Sequence, residues 1–232
     1  MKTRWWTKLL DFIAPRHCVV CGQRLTATES GICSVCMLHL PRTAYQFFPD
    51  DNPMVQQFWH LSPVRQAVAF IHYEPHSEVA QIVYDLKYHD RPDIGEDMGR
   101  LMANEVQMAH YLDDVDVLLP VPLSRKRRRQ RGYNQSEQLA LGIHDITNIP
   151  IVRKAVIRKH FRQSNTQLSR HERQQNVDDM FLLRDATPLQ NKHVLLIDDI
   201  CTTGSTLIAC ANAISHVPGI RISVLTFGLT RS

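Results

Sequence analysis

The sequence predicts an α/β protein: a doubly wound, mainly parallel sheet with a small tetracysteine module ahead of it. Three observations carry this expectation. From Val64 onward, apolar runs with strand character alternate with amphipathic helical stretches, the pattern of parallel strands joined by helical crossovers. Four of the six cysteines fall in two C-x-x-C pairs close to the N-terminus. The chain has 232 residues, 44% hydrophobic and 22% charged, enough for one sizeable core plus a small module and unlike a disordered or coiled-coil protein. The expected division is a helix and zinc module over 1–42, a linker over 43–63, and the α/β domain over 64–232.

Residues Arg4 to Ile13 place Trp5, Trp6, Leu9, Leu10, Phe12 and Ile13 on one side of a helix, opposite Lys2, Arg4 and Lys8. Packing on the cysteine module accounts for such a face, and contact with an acidic inner-membrane surface is the alternative. Lys8 and Asp11 break the apolar run, so a secretory signal is not expected. No apolar run approaches the roughly 18 residues of a membrane span, so a transmembrane protein is excluded. Pro41 to Pro63, with Pro49, Asp50, Asp51, Asn52 and Pro53, reads as a loop. Ala67–Tyr73 is strand-like. Ser77–Tyr88 is helical, with Val79, Ile82, Val83 and Leu86 at core spacing. Asp93 with Glu96 opens a second helix in cap-like fashion, and Asn134 with Glu137 a third. Strands are expected over Val115–Val121, Ile151–Ile157, His193–Ile197 and Ile220–Phe227, and a helix over Ser205–Ser215.

Cys18, Cys21, Cys33 and Cys36 have the spacing of a four-thiolate tetrahedral site, and zinc is the expected ion. Gly22 and Gly31 supply permissive backbone at the knuckles. A disulfide reading would need an oxidising compartment, and a redox reading would need a βαβ context that Ala14–Arg42 lacks. With four cysteines available, no ligand position is left open, so the zinc is structural. Cys201 and Cys210 stand alone and read as small buried residues.

Charge is unevenly spread. The net charge is +4, yet Ser124 to Arg173 holds 13 Lys/Arg against 3 Asp/Glu. Such a block favours a polyanionic partner. The sharpest chemical feature is Val194-Leu-Leu-Ile-Asp-Asp-Ile-Cys-Thr-Thr-Gly-Ser-Thr206. An apolar strand delivers Asp198 and Asp199 to its carboxyl end, where ligands bind in open α/β sheets. A turn with Thr202, Thr203, Gly204, Ser205 and Thr206 then feeds a helix, whose N–H groups and hydroxyls suit a phosphate dianion. The acids can accept hydrogen bonds from vicinal hydroxyls, so the unit fits a sugar phosphate. No Walker-type, G-x-G-x-x-G or G-x-S-x-G motif competes.

This stretch resembles the 5-phosphoribosyl-1-pyrophosphate (PRPP) motif of type I phosphoribosyltransferases. The whole chain resembles the competence protein ComF family, also called GntX-type proteins. The resemblance rests on the four-cysteine module, Leu86-Lys87-Tyr88, Arg131-Gly-Tyr-Asn-Gln-Ser-Glu-Gln-Leu139, Gln167-x-x-Ser-Arg170 with Arg173 and Asn176, and the acidic motif itself. Some relatives carry further cysteine pairs; Met37–Pro63 has none, which argues against a second zinc. The resemblance implies the type I phosphoribosyltransferase fold, a cytoplasmic location and a role in natural transformation or use of external DNA. It further implies PRPP as ligand, Mg²⁺ on the diphosphate, and an unknown acceptor. Asp198 and Asp199 would orient the ribose as the catalytic pair, and Thr202 to Thr206 would hold the 5-phosphate. Lys87 and Arg131 are the candidates for diphosphate charge, while Arg158, Arg170 and Arg173 would close from a mobile loop over Arg158–Asn176. The alternatives are a single-stranded-DNA-binding factor, with Tyr133 and Phe161 available for base stacking, and a scaffold that joins other competence proteins through the zinc module.

Overall fold

The computed structural model describes residues 15–159 and 180–230. The expected helix over Arg4–Ile13 lies outside the described residues, as do Phe161, Arg170 and Arg173. Six strands are described: β1 Gln66–Tyr73, β2 Val117–Pro120, β3 Val156–Arg158, β4 Phe181–Leu183, β5 His193–Cys201 and β6 Arg221–Thr230. The α-helices are α1 Ser34–Leu38, α2 Pro53–Gln56, α3 Ala80–Tyr88, α4 Pro92–Met108, α5 Arg125–Arg131, α6 Gln135–Thr147 and α7 Ser205–Ile214. No helix among the described residues is long and apolar enough to cross a membrane.

The main sheet has the order β1-β6-β5-β2 and all its pairs are parallel. Its strands are apolar runs because both faces are covered. Val68, Phe70, Leu118, Leu195, Ile197, Leu225 and Phe227 point into one core, under α3, α4 and α6. Ala67, Ala69, Val117, Leu119, Val194, Leu196 and Val224 point into the other, under α7 and the antiparallel pair β3–β4. Alternate residues of each strand thus feed opposite cores.

Several local expectations change. The strand expected over Ile151–Ile157 is divided: Ile151 makes an isolated parallel bridge to Leu118, and Val156–Arg158 turns away to pair with β4. Neither cap-like pair closes a capping box. Arg91 takes the Asp93 carboxylate at 2.7 Å, and Asn134 turns its amide to the Val121 carbonyl at 3.0 Å, tying the end of β2 to the start of α6. The basic run Arg125–Arg131 is helical, with the Ser124 hydroxyl accepting the Arg127 N–H at 3.3 Å. Residues 43–63 are more than a loop. Asn52 caps α2 through Met54 N and Val55 N at 2.9 and 3.1 Å, and Met54, Val55 and Phe58 are fully buried. Met54, Val55, Phe58 and Leu61 stand at helical spacing, but the run is only eight residues long and is flanked by Pro49-Asp-Asp-Asn-Pro53 and Pro63, which read as loop.

The cysteine module rests on α4. Cys18, Leu25, Ile32, Cys33 and Leu40 share the core of α4 and α6. Arg42 grips Glu105 at 2.6 Å and the Met37 carbonyl at 2.8 Å. α4 in turn crosses α6 at close range, because Gly99 faces the Leu139 carbonyl and Gly142 faces the Glu96 carbonyl with no room for a Cβ. This contact fixes α6, and with it the residues α6 brings to the carboxyl edge of the sheet. Gly142→Ala is expected to lose about 1–3 kcal/mol of unfolding free energy, the usual cost of overpacking a rigid contact. Urea unfolding followed by circular dichroism measures it, and an unchanged midpoint would contradict the close crossing.

Candidate functional site

Strand β5 runs through the middle of the sheet and carries two acids near its carboxyl end; it extends past the expected Ile197, with Ile200 and Cys201 still paired to Gly228 and Leu229 of β6. Asp198 Oδ1 accepts the Ser136 hydroxyl at 2.8 Å and the Asp199 N–H at 2.9 Å. Asp199 Oδ2 pairs with Lys87 Nζ at 2.8 Å, and its Oδ1 accepts the Ile200 N–H at 2.7 Å. Ser136 comes from the first turn of α6 and Lys87 from the last turn of α3. Burial, reinforced by the neighbouring Asp199 charge, pushes the Asp198 carboxyl up to about 7 against the pull of Ser136.

Past Cys201 the chain turns through Thr202, Thr203 and Gly204 into α7. Gly204 sits at φ +71°, and a Cβ there would come within 3.3 Å of Gln57 Oε1 and 3.6 Å of Phe58. The turn thus needs glycine for its dihedral and is backed by the segment before β1. No side chain caps α7, so the N–H groups of its first turn are left for a ligand at the strand end. Thr202 and Thr203 are exposed, and the Thr203 and Ser205 hydroxyls lie 3.1 Å apart.

A cavity of about 280 Å³ opens here, close to the lower limit of small-molecule pockets. Asp198, Asp199, Thr202, Thr206, Lys87, Arg131 and Arg158 all line it. Thr203, Gly204 and Ser205 complete the adjoining turn. Arg131 is set by Gln135 Oε1 at 2.8 Å and by the Tyr88 ring, 5.6 Å below its guanidinium. Lys87 and Arg131 also wall a second cavity of about 310 Å³ with Tyr88 and Asp90. Arg158 leans over the Phe181 ring at 5.5 Å.

Some residues of the site were not assigned by sequence reasoning. Ser136 lies inside a quoted motif, but nothing local says that its hydroxyl reaches Asp198. Arg127 lines the cavity yet is one cation in a run of basic residues. Gln57 and Phe58 back Gly204 from the far end of the sequence, with no spacing rule to announce them. Tyr133, read as a stacking surface, is half-buried and donates its hydroxyl to the Leu86 carbonyl at 2.6 Å. The exposed tyrosines are Tyr84 and Tyr88, with rings 5.0 Å apart.

The four knuckle cysteines converge, with all four sulfurs within 4.8 Å of one another. Cys18 Sγ accepts the Cys33 N–H at 3.3 Å, and Cys33 Sγ accepts the Cys36 N–H at 3.4 Å. Burial opposes ionisation of Cys18, but backbone N–H groups of Cys21, Cys33 and Val20 outweigh it and bring the thiol down to about 7. Burial, then the three other sulfurs, holds Cys36 far above the ordinary thiol value. Four sulfurs this close, fed by backbone donors, fit a bound cation and could hold a metal ion. Gly22 and Gly31 have φ of +72° and +67°, as the knuckles require. Glu29 binds the span between them, accepting Thr26 N at 2.8 Å and both Ser34 N and Ser34 Oγ at 2.7 Å. Cys201 and Cys210 are buried.

The profile of the phosphoribosyl transferase domain matches residues 87–226, from Lys87 in the last turn of α3 to the middle of β6. The chain belongs to the phosphoribosyltransferase domain family. Full-length similarity narrows this further. The chain is 28% identical over 208 residues to the DNA utilization protein YhgH of Shigella flexneri, covering 85% of this chain and 89% of that protein. It is 28% identical over 207 residues to competence protein F of Haemophilus influenzae, covering 82% and 87%. Similarity to competence protein ComFC of Bacillus subtilis is 29% over 122 residues, covering 53% of this chain and 47% of that protein. Within the phosphoribosyltransferase family the chain is thus a member of the ComF/GntX group, and its fold is the type I phosphoribosyltransferase fold.

The raised Asp198 carboxyl has a thermodynamic signature. A folded-state value of about 7 lies above the unfolded value of 3.8, so the folded state holds the extra proton and loses stability as pH rises from about 4 to about 7. Asp198→Asn, which carries no such proton, is expected to gain on the wild type across that window. The gain should be on the order of 4 kcal/mol at pH 8, the shift being about three pKa units at about 1.36 kcal/mol each. Parallel pH profiles for the two proteins would contradict the raised carboxyl.

Proposed function

We propose that the protein binds PRPP and transfers its phosphoribosyl group to an acceptor, releasing pyrophosphate, in a cytoplasmic step of DNA utilization or competence. The observation that carries this reading is the acidic pair at the end of β5 beside an uncapped helix N-terminus. One holds a vicinal diol, the other a phosphate, and they are a strand end apart. Asp198 and Asp199 take the ribose hydroxyls, and Thr202, Thr203, Gly204, Ser205 and Thr206 take the 5-phosphate. Lys87 and Arg131 face the diphosphate. Mg²⁺ fits the same place, since it is commonly held by one or two carboxylates plus substrate phosphates, and it would neutralise diphosphate charge.

The residues act mainly by position and charge. Asp199 holds Lys87 at 2.8 Å before any ligand arrives, so the ammonium is already placed beside the ribose end of the site. Ser136 fixes the rotamer of Asp198. Cleavage of the C1–oxygen bond spreads positive charge over the ribose ring, and the acidic pair lies beneath it. The diphosphate leaves with the bonding electrons, balanced by the cations. Arg158 bounds the same cavity. Arg170 and Arg173 keep the loop-closing role implied by the family resemblance.

The competence context follows from relatives whose names refer to DNA utilization and competence. A second reading, a nucleic-acid-binding factor that keeps the fold for PRPP, is favoured by one observation. Arg125 to Gln130 are exposed along α5, and the Tyr84–Tyr88 pair presents exposed rings. The cysteine cluster holds zinc as a structural ion in either case.

PRPP with Mg²⁺ at 100 times its dissociation constant is expected to stabilise the wild type by about 2.7 kcal/mol. Asp198→Asn with Asp199→Asn should erase the shift in thermal unfolding while the chain stays folded. A shift that persists in the double variant would remove the ribose assignment. Cys33→Ser is expected to drop bound zinc from one per chain to none by elemental analysis, and to lower the unfolding midpoint. One zinc retained would rule out the tetracysteine site.

A further inference from the structure

The walls of the cavity meet at the entry to α6, where four consecutive side chains reach them. Tyr133 donates its hydroxyl to the Leu86 carbonyl at 2.6 Å, at the end of α3 that carries Lys87. Asn134 donates to the Val121 carbonyl at 3.0 Å, just past β2, where Val121, Pro122 and Leu123 line the cavity. Ser136 donates to Asp198 at 2.8 Å. Gln135 has two partners. Its Oε1 accepts Arg131 Nη1 at 2.8 Å, and its Nε2 donates to the Leu86 carbonyl at 3.4 Å. It is only 1% exposed, yet it lines the cavity. A buried amide loses free energy if either end is left unbonded, so both contacts hold its orientation.

The chemistry of Gln135 matters as much as its place. A carboxylate in this position would spend the charge of the guanidinium it orients. An amide oxygen takes the same N–H and adds no charge. Among the described residues no carboxylate forms an ion pair with Arg131, whose guanidinium rests on the Tyr88 ring and on Gln135. Lys87, the other cation assigned to the diphosphate, is already paired with Asp199 at 2.8 Å. Of the two, Arg131 is the one whose charge is left whole. We infer that Gln135 is a positioning residue that sets the preference of the site for PRPP over ribose 5-phosphate, by orienting Arg131 without neutralising it. This deepens the reading given under Proposed function and rests on it.

Isothermal titration calorimetry of the full-length chain with PRPP and with ribose 5-phosphate, each with Mg²⁺, gives the preference as the ratio of two dissociation constants. The wild type is expected to prefer PRPP at least tenfold. Gln135→Glu keeps an acceptor for Arg131 but neutralises it, and should cut the preference at least fivefold. Gln135→Met keeps the length of the side chain and leaves the Leu86 carbonyl to Tyr133; it should cut the preference as well, because Arg131 loses its anchor. In an Arg131→Gln background, Gln135→Met should change the preference less than twofold, the mark of a residue that acts through another. Should Gln135→Met fail to fold, Gln135→Asn, an amide too short to keep the contact, takes its place. The inference is overturned by a Gln135→Met or Gln135→Glu protein that keeps the wild-type preference, even if both affinities fall by the same factor, as a general loosening of α6 would make them. It is equally overturned if Gln135→Met lowers the preference as much without Arg131 as with it. A wild type that binds both ligands equally removes the diphosphate from Lys87 and Arg131, and the inference with it, but leaves the sugar-phosphate site standing. A wild type that binds neither ligand fails the reading under Proposed function itself.

Discussion

The burial of two adjacent carboxylates at the end of a central parallel strand is the constraint around which the structure is arranged. Past Ile197 the strand has lost its β2 neighbour while still pairing with β6, so a side chain there can meet a ligand, yet two neighbouring acids repel each other and lose hydration. The fold answers with one donor from each of two helices, Ser136 from α6 to Asp198 and Lys87 from α3 to Asp199. Each is useful only if its helix sits at a fixed height against the sheet. Gly99 and Gly142 set that height for α6 by letting it touch α4 backbone to backbone. Tyr133 and Gln135 then tie the start of α6 to the Leu86 carbonyl, one residue before Lys87. The compensation of the acids is therefore a property of the helix layer as a whole.

The other half of the site depends on a different layer. The turn at Thr202–Gly204 is backed by Gln57 and Phe58, which belong to the buried segment before β1. Cys201 adds a long contact from its thiol to Gln57 Oε1 at 3.6 Å, and Asn212 on α7 donates to the Leu61 carbonyl at 3.1 Å. The Thr202–Gly204 turn and α7 are thus braced by residues 144 to 151 positions earlier in the chain. The acidic pair is braced by the opposite core. A ligand spanning the turn and the acids would bridge the two cores across the edge of the sheet.

This arrangement also explains what could be read in the sequence. The strands of the main sheet were legible because burial on both faces makes them uninterrupted apolar runs, and the apolar run of β5 breaks off at Asp198 although the strand itself continues to Cys201. The cysteine module was legible because ligand spacing is a local property, and the sulfurs do converge. Local patterns misled where a long-range partner took over a side chain. Asn134 and Asp93 look like caps, but Val121 and Arg91 claim them. Ile151–Ile157 has strand composition, but its second half leaves the main sheet for β4. Arg127 and Gln57 carried no signal, because their importance lies only in what the fold places beside them.

The cysteine module joins the same chain of dependence. A segment of about 25 residues cannot bury enough surface to hold itself together, so its order must come from a bound ion, from the surface it rests on, or from both. Its own polar ties are local: Glu29 gathers Thr26 and Ser34. Among them, sulfur-facing N–H groups preset Cys18 for ionisation. Its outward ties go to α4, through Arg42 to Glu105 and through the packing of Leu25, Ile32 and Leu40. Because α4 is also the helix against which α6 is seated, loosening the module would relax the contact that positions Ser136. The link runs from Cys18 and Cys33 through α4 and the glycine crossing to Asp198. Every step in it is a packed or hydrogen-bonded contact, so the order of the cysteine module at the margin of the fold bears on the geometry of the acids at its centre.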